Sequence, residues 1–334
     1  MSLIFIDSFD AQDATAKWVS TLASAPSYAE VPRYALGSCV KAASAGRLTK
    51  PFPAAAQIVM GFAFKVDNLS AAHLLAHGWA DSGATQHAGI QVSTTGQIQV
   101  MRGGTVAASS AAGLIVAGNW YFIELRATIA DSGGVAEVKL NGTQIINFSG
   151  DTKNAGTATT FDMVSLGGAS TMDTAVTYDD FYLLNTSGSA PNNTFLGEVV
   201  IQALLPNAAG AHTDFTPIGS GANYQNVDEI PPSGSDYNAS STVGAKDSYG
   251  VTNLSGSVGT IFGVQENMHA SKTGVGAANL KSLVRSGGTD YTQPAVALGA
   301  SQQWYGAIRE VDPATSAAWV ASAVNALEVG AEVA

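Results

Sequence analysis

The chain has 334 residues, room for about two domains of ordinary size. Only 12% of its residues are charged, 46% are apolar, and the formal net charge is −11. An acidic chain with no lysine or arginine cluster excludes nucleic-acid binding through a basic face and attraction to anionic lipid, and no apolar run reaches the roughly 20 residues of a membrane-spanning helix.

Cys39 is the only cysteine, so no intrachain disulfide is available and core packing must hold the fold. The opening, MSLIFIDSFD, does not read as a secretory signal peptide, which needs a basic start and a long apolar run. The sparse charge has two readings. Either surface is buried against other subunits, where charge is depleted, or the surface is made of Ser, Thr, Asn and Gln.

Residues 3–9 read as a first strand, with Leu3, Phe5 and Asp7 alternating against Ile4, Ile6 and Ser8. Residues 10–50 are ambiguous, with a strand around 38–42. In Gln57–Val66 the side chains of Ile58, Met60, Phe62, Phe64 and Val66 share one face. Residues 73–79 are a further candidate strand, and 87–92 with 97–102 form a hairpin. Residues 114–116 and 120–129 follow. In the latter, Ile123, Leu125, Ala127 and Ile129 point one way and Glu124, Arg126 and Thr128 the other. Residues 135–140 end at Asn141-Gly142, the pair that suits a type I′ turn because both central residues need positive φ. That turn sets Lys139 opposite Gln144 and Val138 opposite Ile145. Phe161–Leu166 and residues 178–184 complete a set of short strands with turn chemistry between them, the pattern of an all-β sandwich.

The polar run NTSGSAPNNT, residues 185–194, marks a boundary between a β-sandwich over 1–187 and a second β-rich domain over 195–334. The second domain's expected strands are 197–204, 260–270, 280–285 and 303–311. Residues 206–254, rich in Gly, Ser, Asn and Pro, read as a long surface loop. A short helix is predicted near the C-terminus, with Asp312 as N-cap and Pro313 as first residue. Trp319, Ala323, Val324 and Leu327 form its core-facing stripe, and a short strand to Val333 follows.

From residue 3 to 184 the order of features resembles the concanavalin A-like (laminin G-like) jelly roll. The residues that carry this are IDSFD, the hairpin IQVSTTGQIQV, GNWYFIELRATI, VAEVKLNG and the closing YDDFYLLN. In that family the opening and closing strands lie side by side. Downstream, FLGEVVIQALLPN, LVRSGGTDY and DPATSAAWVASAVNALEVG resemble virion structural proteins of tailed bacteriophages, where a second β-domain follows the lectin-like one. The resemblance implies a virion component made in the bacterial host cytoplasm, and a symmetric homo-oligomer, a trimer.

Jelly rolls of this type include glycoside hydrolases, which need two carboxylates about 5 to 9.5 Å apart. No Glu-x-Asp-x-x-Glu run occurs, and no Gly-x-Ser-x-Gly elbow. Asp228 and Glu229 are adjacent and would face opposite sides of a strand. Glu124 and Glu137 sit with Arg126 and Lys139 on what reads as a solvated, charge-paired sheet face. Asp179 and Asp180 precede the closing strand, where bonding of backbone amides competes with a share in a calcium site. His73 and His77, at i and i+4 of a strand, would stand about 13 Å apart, too far for one zinc ion. No catalytic residue, metal or cofactor is assigned, and the chain is expected not to be an enzyme. For sugars, the candidate contact is Trp79 with His77, Asp81 and His87, with Tyr224, Tyr237 and Tyr249 on the long stretch as further candidates. An aromatic in a β-protein more often serves the core.

The sequence therefore predicts an all-β chain of two β-sandwich (jelly-roll-like) domains with a short helix near the C-terminus. The expected role is a non-enzymatic phage virion structural protein, tail- or fibre-associated or capsid-decorating. Its partners would be copies of itself, other virion proteins and host surface glycans. The alternative is a host-glycan-binding adhesin using the lectin-like domain, and the third reading is a glycan hydrolase.

Overall fold

The computed structural model describes residues 2–35, 37–167, 172–219 and 221–334. The described chain is nearly all strand and divides into two units, Met1–Ile201 and Gln202–Ala334.

The first unit is built from two seven-stranded antiparallel sheets. The first sheet runs Leu3–Asp7, Val176–Asn185, Gln57–Val66, Trp120–Thr128, Gly134–Leu140 and Thr143–Gly150, with Val40–Lys41 also paired to Val176–Asn185. Its opening and closing strands are neighbours, Phe5 opposite Leu183 and Asp7 opposite Phe181. The second sheet runs Val19–Ser20, Leu48–Ala55, Phe161–Leu166, His73–Ala80, Thr85–Val92, Ile98–Arg102 and Thr105–Ser109.

Side-chain alternation fixes which faces meet. Ile58, Met60, Phe62 and Phe64 project from the first sheet into one core with Ile123, Leu125 and Ala127. Leu75, Ile90, Val92, Val100, Phe161 and Val164 meet them from the second sheet. Phe62 sits among the rings of Phe64, Tyr178 and Phe181, each within 6.4 Å of it. Burying one such ring contributes about 1.5–3 kcal/mol. Asn141 (φ 46°) and Gly142 (φ 75°) form the expected turn. Lys139 faces Gln144, but a bulge carries Val138 to Ile146 instead of Ile145. Residues 114–116 form no strand.

The second unit holds one six-stranded sheet. Its order is Pro206–Thr213, Lys246–Val251, Glu328–Val333, Asn279–Ser286 and Thr289–Thr292, with Val296–Ala297 beside Asn279–Ser286. Two-stranded ribbons surround it, Thr216–Ile218 with Tyr237–Ala239, Val264–Ala270 with Gln303–Arg309, and Val311–Asp312 with Ala317–Ala318. The stretch expected to be a surface loop thus contributes four strands. Their Ala, Gly, Asn and Ser residues carry little β-branched signal. The expected strand over 197–204 does not form.

The C-terminal helix is Ala321–Asn325, later than the Asp312-Pro313 start. Asp312 instead closes the turn of the last ribbon. Its carbonyl accepts the N–H groups of Thr315 and Ser316, and its carboxylate accepts that of Ala314. Trp319, Val324 and Leu327 are buried with Val284, so the apolar stripe serves the core. Among the described residues no helix is long and apolar enough to cross a membrane.

Candidate functional site

The sequence-derived sugar contacts fall on the second sheet of the first unit. Gly78 backs onto the core, where a Cβ would meet Phe161 and Ile58, so His77 and Trp79 point to the outer face. Ala88 is in the core, so His87 and Gly89 also point outward. A Cβ on Gly89 would stand 2.1 Å from Cδ2 of His77, which is why that position is bare. The rings of His77 and Trp79 meet edge-on with centroids 6.4 Å apart. Trp79 Nε1 donates to Ser165 Oγ at 2.8 Å, and the Arg47 guanidinium lies 4.3 Å over the indole. The Asn154 N–H donates to His87 Nδ1 at 3.2 Å, while His87 Nε2 is buried without a hydrogen-bond partner. Asp81 follows the strand, exposed, at φ 56°, and accepts from Thr85 Oγ1 at 2.9 Å.

The imidazoles and the indole on this face are buried. His77 is 0% and Trp79 3% exposed. Burial pushes the His77 pKa down to about 4, offset only in part by the Gly167 and Gly103 backbones. Burial lowers His87 too. Both imidazoles are neutral at neutral pH, and each then offers one donor and one acceptor. The Trp79 ring face that a sugar would stack on is occupied by Arg47. His73 stands apart, held between Asp173 and the Asn68 carbonyl, both at 2.7 Å. Of the three tyrosines, Tyr249 is buried and donates to Asp247 Oδ2 at 2.8 Å, and Tyr237 is exposed.

A second polar group lies on the outer face of the first sheet, and periodicity misread it. Glu124 alternates away from the core, as expected, yet it is 1% exposed. Residues 195–201 cover it. Its Oε1 accepts the Tyr182 hydroxyl at 2.5 Å and the Gly197 N–H at 2.9 Å. The Leu196 N–H donates to Tyr182 Oη at 3.2 Å. Phe195 lies over Lys139 and Arg126. The expected charge pairing survives only between Arg126 and Glu137. Gly61 makes room, since a Cβ there would stand 2.2 Å from Cε1 of Tyr182.

Asp179 and Asp180 bond backbone amides. Asp179 accepts the N–H groups of Arg33 and Asp180, and Asp180 accepts that of Ile201 at 2.7 Å. Burial raises both carboxyls well above their usual range, and the neighbouring charge raises Asp179 further. Arg33 partly compensates. It lies 3.5 Å from Asp180, bonds Glu198 at 2.6 Å and the Val199 carbonyl at 3.1 Å, and rests over Phe122. The sequence predicts a strand over 197–204, but the amides of Leu196, Gly197 and Ile201 end on the side chains of Tyr182, Glu124 and Asp180 in the first sheet. Among the described residues no group of three His, Cys, Asp or Glu side chains is placed to hold a metal ion.

No protein-family model matches the chain, and no curated protein does. Solved structures similar to it include a sialidase (14% identity, TM-score 0.35, covering 45% of this chain and 15% of that one). A mutant Trypanosoma rangeli sialidase displaying trans-sialidase activity is 19% identical, with TM-score 0.36 over 51% of this chain and 28% of that one. An endo-beta-1,4-glucuronan lyase from Trichoderma reesei is 13% identical, with TM-score 0.32 over 50% of this chain and 91% of that one. The chain thus spans between 15% and 28% of these sialidases' length. The expectation that the chain is not an enzyme is corrected by this finding, because the similar structures carry the names of glycan-cleaving enzymes. At these identities and TM-scores the likeness assigns neither an activity nor a substrate to the chain.

Proposed function

We propose that this chain is a structural component of a tailed-bacteriophage particle whose second unit completes its fold against further copies of itself, as a trimer. The observation that carries this reading is the thin core of Gln202–Ala334. The largest fully buried side chains of the protein, Trp18, Tyr178, Tyr182, Phe62 and Phe64 among them, belong to the first unit. Among the described residues of the second unit, one core cluster gathers Val284, Trp319, Val324 and Leu327, and the other buried apolar side chains, such as Leu280, Leu283 and Ile308, are few beside those of the first unit. Glu328–Val333 lies inside the six-stranded sheet, paired on both edges, yet every residue in it is half-buried. A unit of this size ordinarily buries about two thirds of its surface, because ordering each residue costs roughly 1–2 kcal/mol. Burial against neighbouring copies supplies the missing area, and the low charge of the chain suits such contacts. The virion assignment itself is supported by the resemblance of residues 195–207, 283–291 and 312–330.

Native mass spectrometry of the full chain tests the assembly. A trimer is expected, and a monomer at high concentration contradicts it. Imaging of a particle that carries the chain tests its place there and its docking on other virion proteins.

A further inference from the structure

The segment that covers Glu124 is fastened to the first unit mainly by polar contacts. Residues 195–201 end that unit, and Gln202 begins the second. None of these residues is fully buried, and Val200 is 45% exposed, so apolar burial holds them only weakly. Their backbone is held instead. Tyr182 Oη accepts the Leu196 N–H, Glu124 that of Gly197 and Asp180 Oδ1 that of Ile201, while Arg33 donates to the Val199 carbonyl. A bulge sets these acceptors on one side. Between Asp179 and Tyr182 the strand Val176–Asn185 gains a residue against Gln57–Val66, with Asp180 in the left-handed region at φ 51°. Asp179, opposite Ala63, and Tyr182, opposite Gly61, both face away from the core. Asp180 reaches the same side, while Phe181 enters the core.

Asp179 and Asp180 are 5% and 3% exposed. The charged groups that face them are Asp10 from the segment after the first strand, Arg33 from the segment before Val40–Lys41, and Glu198 from the cover, which Arg33 also bonds. The Cys39 thiol lies beside Asp179, and Glu124 joins from Trp120–Thr128 through Tyr182. Among the described residues, Arg33 is the only cation in an ion pair with either carboxylate. We propose that residues 195–201 are a strap released by alkali, docked on the first sheet while the Asp179–Asp180 pair holds protons and freed as that pair ionises. An ionised carboxylate accepts an amide more strongly than a neutral one. Two adjacent carboxylates out of water, sharing one guanidinium, cost more than that gain. Burial, and for Asp179 the charge of Asp180, therefore raises both carboxyls. Freeing the strap hydrates the pair and returns it to ordinary acidity. Docking is fully favoured below the ordinary carboxylate pKa of about 4 and is lost as pH rises through the raised values of the docked state. Release turns the strap into loose chain between the two units. The inference does not rest on the assembly reading, because these contacts all lie within one first unit.

Hydrogen exchange of the full chain, read as protection factors at about pH 5 and about pH 8, tests the strap. The Ile201 and Gly197 amides are expected to lose protection by about tenfold or more between the two, while those of Gln57–Val66 keep theirs. Asp180→Asn keeps an acceptor for Ile201, suits the left-handed backbone and carries no charge at either pH. Its Ile201 protection should be nearly the same at both. Equal protection of Ile201 at both pH values in the wild type overturns the proposal, and so does a loss that persists undiminished in Asp180→Asn. A matching loss across Gln57–Val66 overturns it too, since the whole unit would then be opening. If Asp180→Asn does not fold, Asp179→Asn decides. Removing the neighbouring charge should shrink the loss, and a loss unchanged in that variant overturns the strap.

Discussion

The two units belong to the same all-β class but bury their strands differently. In the first, two sheets face each other and their long strands bury one face in a shared core within the chain. In the second, one sheet and its ribbons share a core of a few side chains, and the central strand Glu328–Val333 stays half-open. A fold class read from alternation says where side chains point. It does not say whether the layer they point to comes from the same chain.

The sharpest way to break this comparison is a core truncation. Phe62→Ala should lower the stability of the first unit by about 3–5 kcal/mol. Denaturant unfolding should register the loss at every protein concentration, while the second unit's transition shifts with concentration. A shift of the first transition with concentration would erase the distinction between the units.

Acid is the next lever, and it acts on the first unit. His77 is 6.5 in the open chain and about 4 when folded. Its contribution is fully present above about pH 6.5, where both states are neutral. It is lost as pH falls toward 4, because the unfolded imidazole binds the proton first, and the loss is on the order of 3 kcal/mol. The buried Asp179 and Asp180 act in the opposite sense, since their folded pKa values are raised. They favour the folded state at low pH and cost stability as pH rises above the ordinary carboxylate value. His77→Gln should flatten the acid limb between about pH 6.5 and 4 in thermal unfolding, and an unchanged limb would remove His77 as its cause.

Gly61→Ala should cost about 1–3 kcal/mol by forcing the Tyr182 ring off Glu124, and faster amide exchange at Gly197 would report the loosened cover. The smallest effect is expected in the second unit's charge ladder. Burial raises the Asp290 carboxyl, but Lys246, Arg285 and His212 outweigh it and hold its pKa down to about 2. The Asp290 side chain is 17% exposed and its three partners each about a quarter exposed, so solvent screens the pairs and Asp290→Asn should cost about 1 kcal/mol. Urea unfolding measures it, and a larger loss would indicate that the ladder is covered in the assembled protein.

Much of the first unit was legible because its apolar residues keep a period of two over long strands, as in Gln57–Val66, and because Asn141-Gly142 demands one turn. The Val138 bulge was not, since a bulge leaves no composition signal. Glu124 looked solvated because alternation gives direction only, and the segment that covers it lies some seventy residues away. Residues 197–201 looked like a strand because Val and Ile favour one, whereas their amides bond Glu124 and Asp180. In the second unit the Ala- and Gly-rich strand Pro206–Thr213 gave no apolar rhythm at all. Asp312-Pro313 carried a helix-start signature that the chain spends on a turn. Trp79, His77 and His87 were grouped by nearness in sequence, and the strand pairing places them on one face. Arg47 over the indole and the Asn154 amide on His87 are contacts that no local pattern links to them.

Hydrogen exchange on the full chain, at dilute and at high concentration, tests the central claim most directly. The account predicts that amides of Lys246–Val251, Asn279–Ser286 and Glu328–Val333 gain protection as concentration rises, while those of Gln57–Val66 and Trp120–Thr128 stay equally protected throughout. Equal protection of both units in a dilute monomer would contradict it.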